Sequence, residues 1–219
     1  MVDVAHAKVL AILTRAPSAG GKTRLFSALN REPDPTLLTA LLLDTLDNAS
    51  VAGIHRVIAV TPSSACEQVR SLVTGDIEVI PQSEGTLGRR MQDVMRRLFD
   101  AGARAVALIG SDIPTITPAA IEQAFLTLER NPDSLVLGPA ADGGYYLLAA
   151  TYVPEVFDGV DWGSRRVLEQ TRRRAREKGI QISLVDTAAD VDTLEALRAC
   201  LLNSRAARTA NWLARNGLT

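Results

Sequence analysis

Phosphate chemistry is the first thing this 219-residue sequence could support, because one basic glycine loop and three acidic motifs carry most of its reactive side chains. The loop reads Arg15-Ala16-Pro17-Ser18-Ala19-Gly20-Gly21-Lys22-Thr23-Arg24. Small residues and glycines let a backbone come close to a phosphate, and Lys22 and Arg24 supply charge. The bland alternative is a tight strand-to-helix turn with exposed basic residues. Ala16 through Thr23 also fits a relaxed P-loop pattern, with Ala in place of its first glycine. Among the acids, Asp112 stands in Gly110-Ser111-Asp112-Ile113-Pro114, directly after an apolar run. A carboxylate placed there at a sheet's rim suits a hard cation such as Mg²⁺, or simply caps a turn. Asp190 and Asp192 stand in Asp190-Val191-Asp192-Thr193, and Asp192 with Glu195 resembles a helix capping box. Asp142-Gly143-Gly144 reads equally as a hairpin turn or as the lining of a sugar or acceptor pocket.

Those groups need elements to position them, and the hydrophobic pattern supplies an alternating set. Lys8–Thr14, His55–Thr61, Asp76–Ile80 and Ala105–Ile109 read as strands, and Pro114 stops the last from continuing. Leu38, Leu41, Leu42, Leu46 and Ala49 keep helical spacing, as do Leu87, Met91, Val94, Met95, Leu98 and Phe99. Thr117-Pro118 has the form of a helix cap followed by proline at the first helical position. Leu135–Leu137 and Tyr146–Ala149 flank the Asp142 turn. Gly163–Lys178 reads as a basic helix, Ile180–Val185 as a late strand, and further helices start near Thr193 and Ser204. Strands alternating with helices imply a mostly parallel sheet covered on both faces. With no internal repeat or linker, residues 1–219 are expected to form one domain.

Composition narrows the function classes. Apolar residues make up 47% and aromatic residues only 4%, so the core must come from Leu, Val, Ile and Ala. The net charge of −1 argues against bulk nucleic-acid binding, so an anionic ligand must be captured locally. The arginines between Arg165 and Arg176 alternate with Glu169 and read as a solvated helix face. His6 and His55, the two histidines, have no Ser or Cys arrangement beside them that suggests a triad. Cys66 and Cys200 lack metal-ligand spacing, and two thiols suit a reducing cytoplasm. The sequence has no secretory pattern and no apolar stretch long enough to span a membrane, so no membrane partner is expected.

Taken in order, Lys22–Leu25 (KTRL), Leu87–Met91 (LGRRM), Gly110–Pro114 (GSDIP), Leu137–Leu148 (LGPAADGGYYLL), Asp161-Trp162-Gly163 and Asp190–Thr193 (DVDT) resemble a known family. It is the glycosyltransferase-like family that includes the arsenosugar-biosynthesis glycosyltransferase type. More distantly the sequence is similar to phospholactate and molybdenum-cofactor guanylyltransferases. The resemblance implies a three-layer α/β/α sandwich with a mostly parallel sheet, of the GT-A-like nucleotide-diphospho-sugar transferase fold. It implies Lys22 and Asp112 as catalytic residues. It places Arg15, Ala16, Pro17, Gly20, Gly21, Lys22, Arg24, Gly85, Leu87, Gly88 and Ser111 around a nucleotide. Asp142, Gly143 and Gly144 would border an acceptor, and Asp112, Asp190 and Asp192 would hold Mg²⁺ or Mn²⁺. The expected activity is glycosyl transfer from a nucleotide-sugar to a small-molecule acceptor. The alternatives are nucleotidyl transfer from a nucleoside triphosphate, and a P-loop ATPase or non-catalytic nucleotide binder.

Overall fold

The computed structural model describes residues 7–218. Strand β1 (Lys8–Arg15) lies in the interior of a seven-stranded sheet, next to its central strand. Its neighbours are β2 (Ile54–Thr61) and β4 (Ala105–Gly110), both parallel to it. Strand β3 (Glu78–Pro81) extends the sheet beyond β2. On the other side follow β6 (Tyr145–Ala150), β5 (Leu135–Pro139) and β7 (Ile182–Leu184), giving the order β3-β2-β1-β4-β6-β5-β7. Strand β6 alone runs antiparallel to its neighbours β4 and β5.

The apolar runs of β1, β2 and β4 are continuous because both faces of the sheet are covered. Leu10 and Ile12 point to one face, where they meet Leu42 and Leu46 of α2 (Pro35–Asn48) and Phe125 of α5 (Pro118–Arg130). Val9 and Ala11 point to the other and meet Met91, Val94 and Met95 of α4 (Leu87–Asp100) and Ala175 of α6 (Val167–Glu177). Each such buried large side chain contributes about 1.5–3 kcal/mol. Helix α3 (Cys66–Leu72) adds Val69 to the first face. The chain therefore has the expected three-layer architecture.

A third apolar cluster stands apart from the sheet. Leu25 and Phe26 of α1 (Thr23–Ala28) and Leu37 and Leu41 of α2 pack on Leu197 of α7 (Leu194–Ala199) and Trp212 and Leu213 of α8 (Ala207–Arg215). The Trp212 indole donates to Asp34 Oδ2 at 2.7 Å, and Asp34 also caps α2. This cluster joins the segment after Lys22 to the segment after Asp192, two regions 170 residues apart in sequence.

Several boundaries differ from expectation, three of them with a visible local structure. Helix α6 begins at Val167, not Gly163, because Asp161–Arg166 is tied into an irregular connection: the Asp161 amide donates to Gln170 Oε1 at 2.7 Å. Strand β7 spans only three residues. Ser204–Ala206 is a 3₁₀ turn capped by Asn203, and the last α-helix starts after it.

Candidate active site

The ends of β1 and β4 and the start of β6 meet at one rim of the sheet. The register pairs Leu13 with Gly110 and Ile109 with Leu147, so Thr14–Lys22, Ser111–Pro114 and Tyr145 come together there. A cleft of about 430 Å³ opens at this rim.

The loop after β1 reaches the rim through an unusual backbone. Gly20, Gly21 and Lys22 all have positive φ, at 69°, 139° and 48°. Glycine adopts this region freely, whereas a non-glycine residue such as Lys22 gives up roughly 1 kcal/mol to do so. The conformation aims the Lys22 ammonium at carboxylates: Nζ lies 2.7 Å from Asp112 Oδ2 and 2.5 Å from Asp192 Oδ1. Burial pulls the Lys22 pKa down, but the two carboxylates outweigh it and hold the value up at about 12.

The segments that carry the carboxylates are held through their backbones, so that Lys22 is the one described side chain that binds the Asp112 and Asp192 carboxylates. Thr45 Oγ1 of α2 donates to the Ser111 carbonyl and accepts from the Ile113 amide, at 3.2 and 3.1 Å. Asn48 donates to the Pro114 carbonyl at 2.7 Å. The Val191 amide donates to the Asp112 carbonyl at 2.9 Å, while the Val191 side chain anchors in the third apolar cluster. These contacts bring Asp112, Asp190 and Asp192 together, with one oxygen from each within 4.8 Å of the others. Burial first, then the Asp112, Asp192 and Asp142 charges, push the Asp190 carboxyl up to about 6. Asp192 is no helix cap: Thr193 caps α7, its hydroxyl accepting from the Ala196 amide at 3.1 Å. Three oxygen-only donors carrying mutual repulsion suit a hard divalent cation such as Mg²⁺ or Mn²⁺, and the Lys22 ammonium already occupies the position of a cation against two of them.

The other residues singled out from sequence divide. Arg15, Gly20, Gly21, Leu87, Ser111, Asp142 and Gly144 line the cleft. Ala16 and Pro17 are buried beneath the loop, Ala16 in the core against α2, so they shape it from behind. Arg24 is exposed on α1 and Gly85 is exposed before α4; neither forms part of the cleft wall. Gly88 is covered by Trp162: a β-carbon there would sit 2.6 Å from the indole Nε1, so only glycine admits the ring. The Gly143 carbonyl accepts from the Leu168 amide at 3.0 Å and ties the β5–β6 turn to α6. Asp142 Oδ1 accepts from the Gly144 amide at 2.9 Å, the turn contact that its sequence suggested. His55 is exposed at the far end of β2, and His6 lies outside the described residues.

Sequence reasoning missed Gln82. Its buried amide donates to the Thr14 and Ala59 carbonyls at 3.1 and 2.6 Å and accepts from Arg90 Nη1 at 3.1 Å. It locks the end of β3 to β2 and to the end of β1, where the glycine loop begins, and fixes Arg90 near Arg15. Burial, followed by the Arg15 charge, lowers the Arg90 pKa. A lone glutamine after a strand gives no sequence signal for this role. Thr45 and Asn48 were hidden in the same way, as polar positions in an otherwise ordinary helix.

This mostly parallel sheet with helices on both faces matches the fold of nucleotide-diphospho-sugar transferase structures. A candidate nucleotide-diphospho-sugar transferase from Desulfovibrio desulfuricans superposes with a TM-score of 0.81 and 25% identity, over 94% of this chain and 95% of that one. By sequence the chain belongs to the DUF2064 family, "uncharacterized protein conserved in bacteria", whose model matches residues 45–164. Two further solved structures share the fold at lower identity. A nucleotidyl transferase from Methanothermobacter thermautotroptrophicus has a TM-score of 0.61 and 15% identity, over 92% of this chain and 99% of that one. CMP:2-keto-3-deoxy-manno-octonic acid synthetase, in complex with CTP, has a TM-score of 0.57 and 16% identity, over 94% and 99%. No curated protein matches the sequence. Among the described residues, no helix is long and apolar enough to cross a membrane.

Proposed function

We propose that this protein is a divalent-cation-dependent transferase that moves a glycosyl group from a nucleotide-sugar to a small-molecule acceptor, in keeping with the glycosyltransferase-like resemblance of its motifs. The supporting observation is the convergence of Lys22 with Asp112 and Asp192, and of Asp190 beside them, at the mouth of one cleft. Asp112, Asp190 and Asp192 would hold Mg²⁺ or Mn²⁺, whose chemistry is to neutralise phosphate oxygens as the diphosphate departs. Arg15, Lys22 and the Gly20-Gly21 backbone bind the phosphates. Lys22 adds a fixed positive charge where negative charge develops in the transition state. The acceptor hydroxyl oxygen bonds to the anomeric carbon as the bond from that carbon to the diphosphate oxygen breaks. The nucleoside diphosphate leaves, and the hydroxyl proton passes to Asp142, whose Oδ2 no described group engages. Such a reaction depends on positioning and charge neutralisation, so it needs no histidine or nucleophilic side chain. The two cysteines are both free, which fits a cytoplasmic setting.

One observation favours nucleotidyl transfer as a second reading. Arg15 lies along Gly21, 3.5 Å from where a β-carbon would be, and Arg90 stands near it. Two guanidiniums beyond Lys22 suit the extra phosphate of a nucleoside triphosphate. The P-loop ATPase reading has less support, since the Lys22 ammonium is engaged with carboxylates across the cleft instead of curling over its own loop.

Product analysis separates these readings. The protein is incubated with Mg²⁺ or Mn²⁺, a panel of nucleotide-sugars or triphosphates, and candidate acceptors. Release of a nucleoside diphosphate from a nucleotide-sugar, abolished by EDTA and by Asp112→Asn, is the expected result. Pyrophosphate released from a triphosphate would sink the glycosyl reading in favour of the second.

A further inference from the structure

The cleft has two unlike halves. Every charged residue in its wall, namely Arg15, Lys22, Asp112, Asp142 and Asp190, belongs to the rim loops. The other half is apolar and lies over β4 and β6. Its floor is Leu108 and Leu148, its sides are Met91 of α4 and Val167 of α6, and two rings, Tyr145 and Trp162, close it. The rings meet edge to face, with centroids 6.3 Å apart and planes at 84°. The Tyr145 hydroxyl is buried beside the Thr171 hydroxyl of α6, so the cleft meets its ring. Trp162 is set in advance: its ring rests on Gly88, and its loop is fixed by Gln170 through the Asp161 amide.

We propose that this half receives the acceptor, and that the acceptor is an alcohol carrying a planar apolar ring, not a sugar or polyol. The inference rests on the transferase reading and specifies its second substrate. Placement of the nucleoside decides which substrate this half takes. Arg15 lines the cleft on the β2–β3 side of β1, and Arg90, held by the buried Gln82, stands near it, so a nucleotide would find its donors on that side. The apolar half lies on the opposite side of β1, next to Asp142. A sugar placed there would leave several hydroxyls unpaired, because the six side chains offer it only the Trp162 N–H, the Tyr145 hydroxyl being buried, and beside them stands one further hydroxyl, that of Ser164; each unpaired buried hydroxyl is costly. A flat ring seated between two perpendicular aromatic side chains loses nothing of that kind and gains contact with both.

The test uses the full chain and the variants Trp162→Ala and Trp162→Phe, each first shown to melt like wild type. Binding of 2-naphthylmethanol, benzyl alcohol, glucose and glycerol is followed by ligand-observed NMR without nucleotide. Binding of nucleotide-sugars and triphosphates with Mg²⁺ is followed separately by calorimetry. The expected result is that the ring alcohols bind and the polyols do not. Trp162→Ala should weaken the ring alcohols roughly tenfold, Trp162→Phe by less than about threefold, and neither should change nucleotide affinity more than about twofold. Preference for glucose or glycerol would overturn the proposal. So would an equal loss of nucleotide affinity in Trp162→Ala, which would assign the apolar half to the base. If wild type bound ring alcohols but no nucleotide at all, the transferase reading itself would fall, and the acceptor role with it.

Discussion

Asp44 and Asp112 are both carboxylates that end up beside α2, and they are treated in opposite ways. Asp44, on α2 itself, is 1% exposed and fully engaged. Its Oδ2 accepts from the amide and hydroxyl of Thr209, at 2.8 and 2.9 Å, and its Oδ1 from the amide and guanidinium of Arg208, at 3.2 and 3.1 Å. Those donors are the first turn of α8, so the charge serves as glue between two helices. Asp112 is the reverse case. Its backbone is pinned by Thr45 and Val191, but its carboxylate faces two other carboxylates and is balanced by a single lysine. A satisfied buried charge stabilises the fold, whereas a crowded, half-satisfied cluster costs stability and holds it ready for a ligand.

The sharpest way to break this contrast is Asp112→Asn. Transfer should fall by about a thousandfold or more, while the melting temperature stays within about 2 °C of wild type or rises. A loss of stability comparable to that of an Asp44 variant would make Asp112 a structural residue too. Asp44→Ala should do the opposite. Leaving four donors without their carboxylate should cost about 3 kcal/mol, seen as a melting temperature lower by roughly 6–12 °C, with activity per folded molecule within about twofold in a cold assay.

Lys22→Met sharpens the comparison from the cation side. Without the ammonium, the three carboxylates face only one another, so the metal-free protein should lose roughly 1–2 kcal/mol. The melting-temperature gain on adding Mn²⁺ should then exceed that of wild type, since the ion no longer competes with Lys22. An equal gain in both proteins would place the metal elsewhere.

The smallest effect is on pH. The Asp190 carboxyl is raised from 3.8 to about 6 in the folded protein, so its ionisation opposes folding. The penalty is absent below about pH 4, grows between pH 4 and 6 and is complete above. Asp190→Asn should therefore gain stability relative to wild type as pH rises from 4 to 7, by about 1 kcal/mol after solvent screening. Urea melts at the two pH values measure it, and a gain that is the same at both would remove the repulsion.

Much of the frame was legible before any coordinates. The central strands showed because burial on both faces leaves an unbroken apolar run, and Ala105–Ile109 falls one residue short of β4. The cap Thr117 acts through a local hydrogen bond, accepting from the Ala120 amide three residues on. The site was half legible. Asp112 and Lys22 stand out because strand ends and glycine loops have local signatures. Arg24 lies apart from them: it stands on α1, past the left-handed Lys22 cap, and is exposed to solvent. Asp192 was ambiguous because the capping-box pattern fits it, and Thr193 takes the cap instead.

The sequence by itself determined the layered α/β architecture and singled out the glycine-lysine loop and the three acids as candidates, because each rests on residues close together in the chain. Only the tertiary structure decided that Lys22 spans 90 and 170 residues to reach Asp112 and Asp192, and that Gln82 braces the loop. It alone decided that Trp162 rests on Gly88 to wall an apolar half-cleft. Those contacts depend on strand order and helix packing, and no local period or motif encodes which distant segments a folded core will bring into contact.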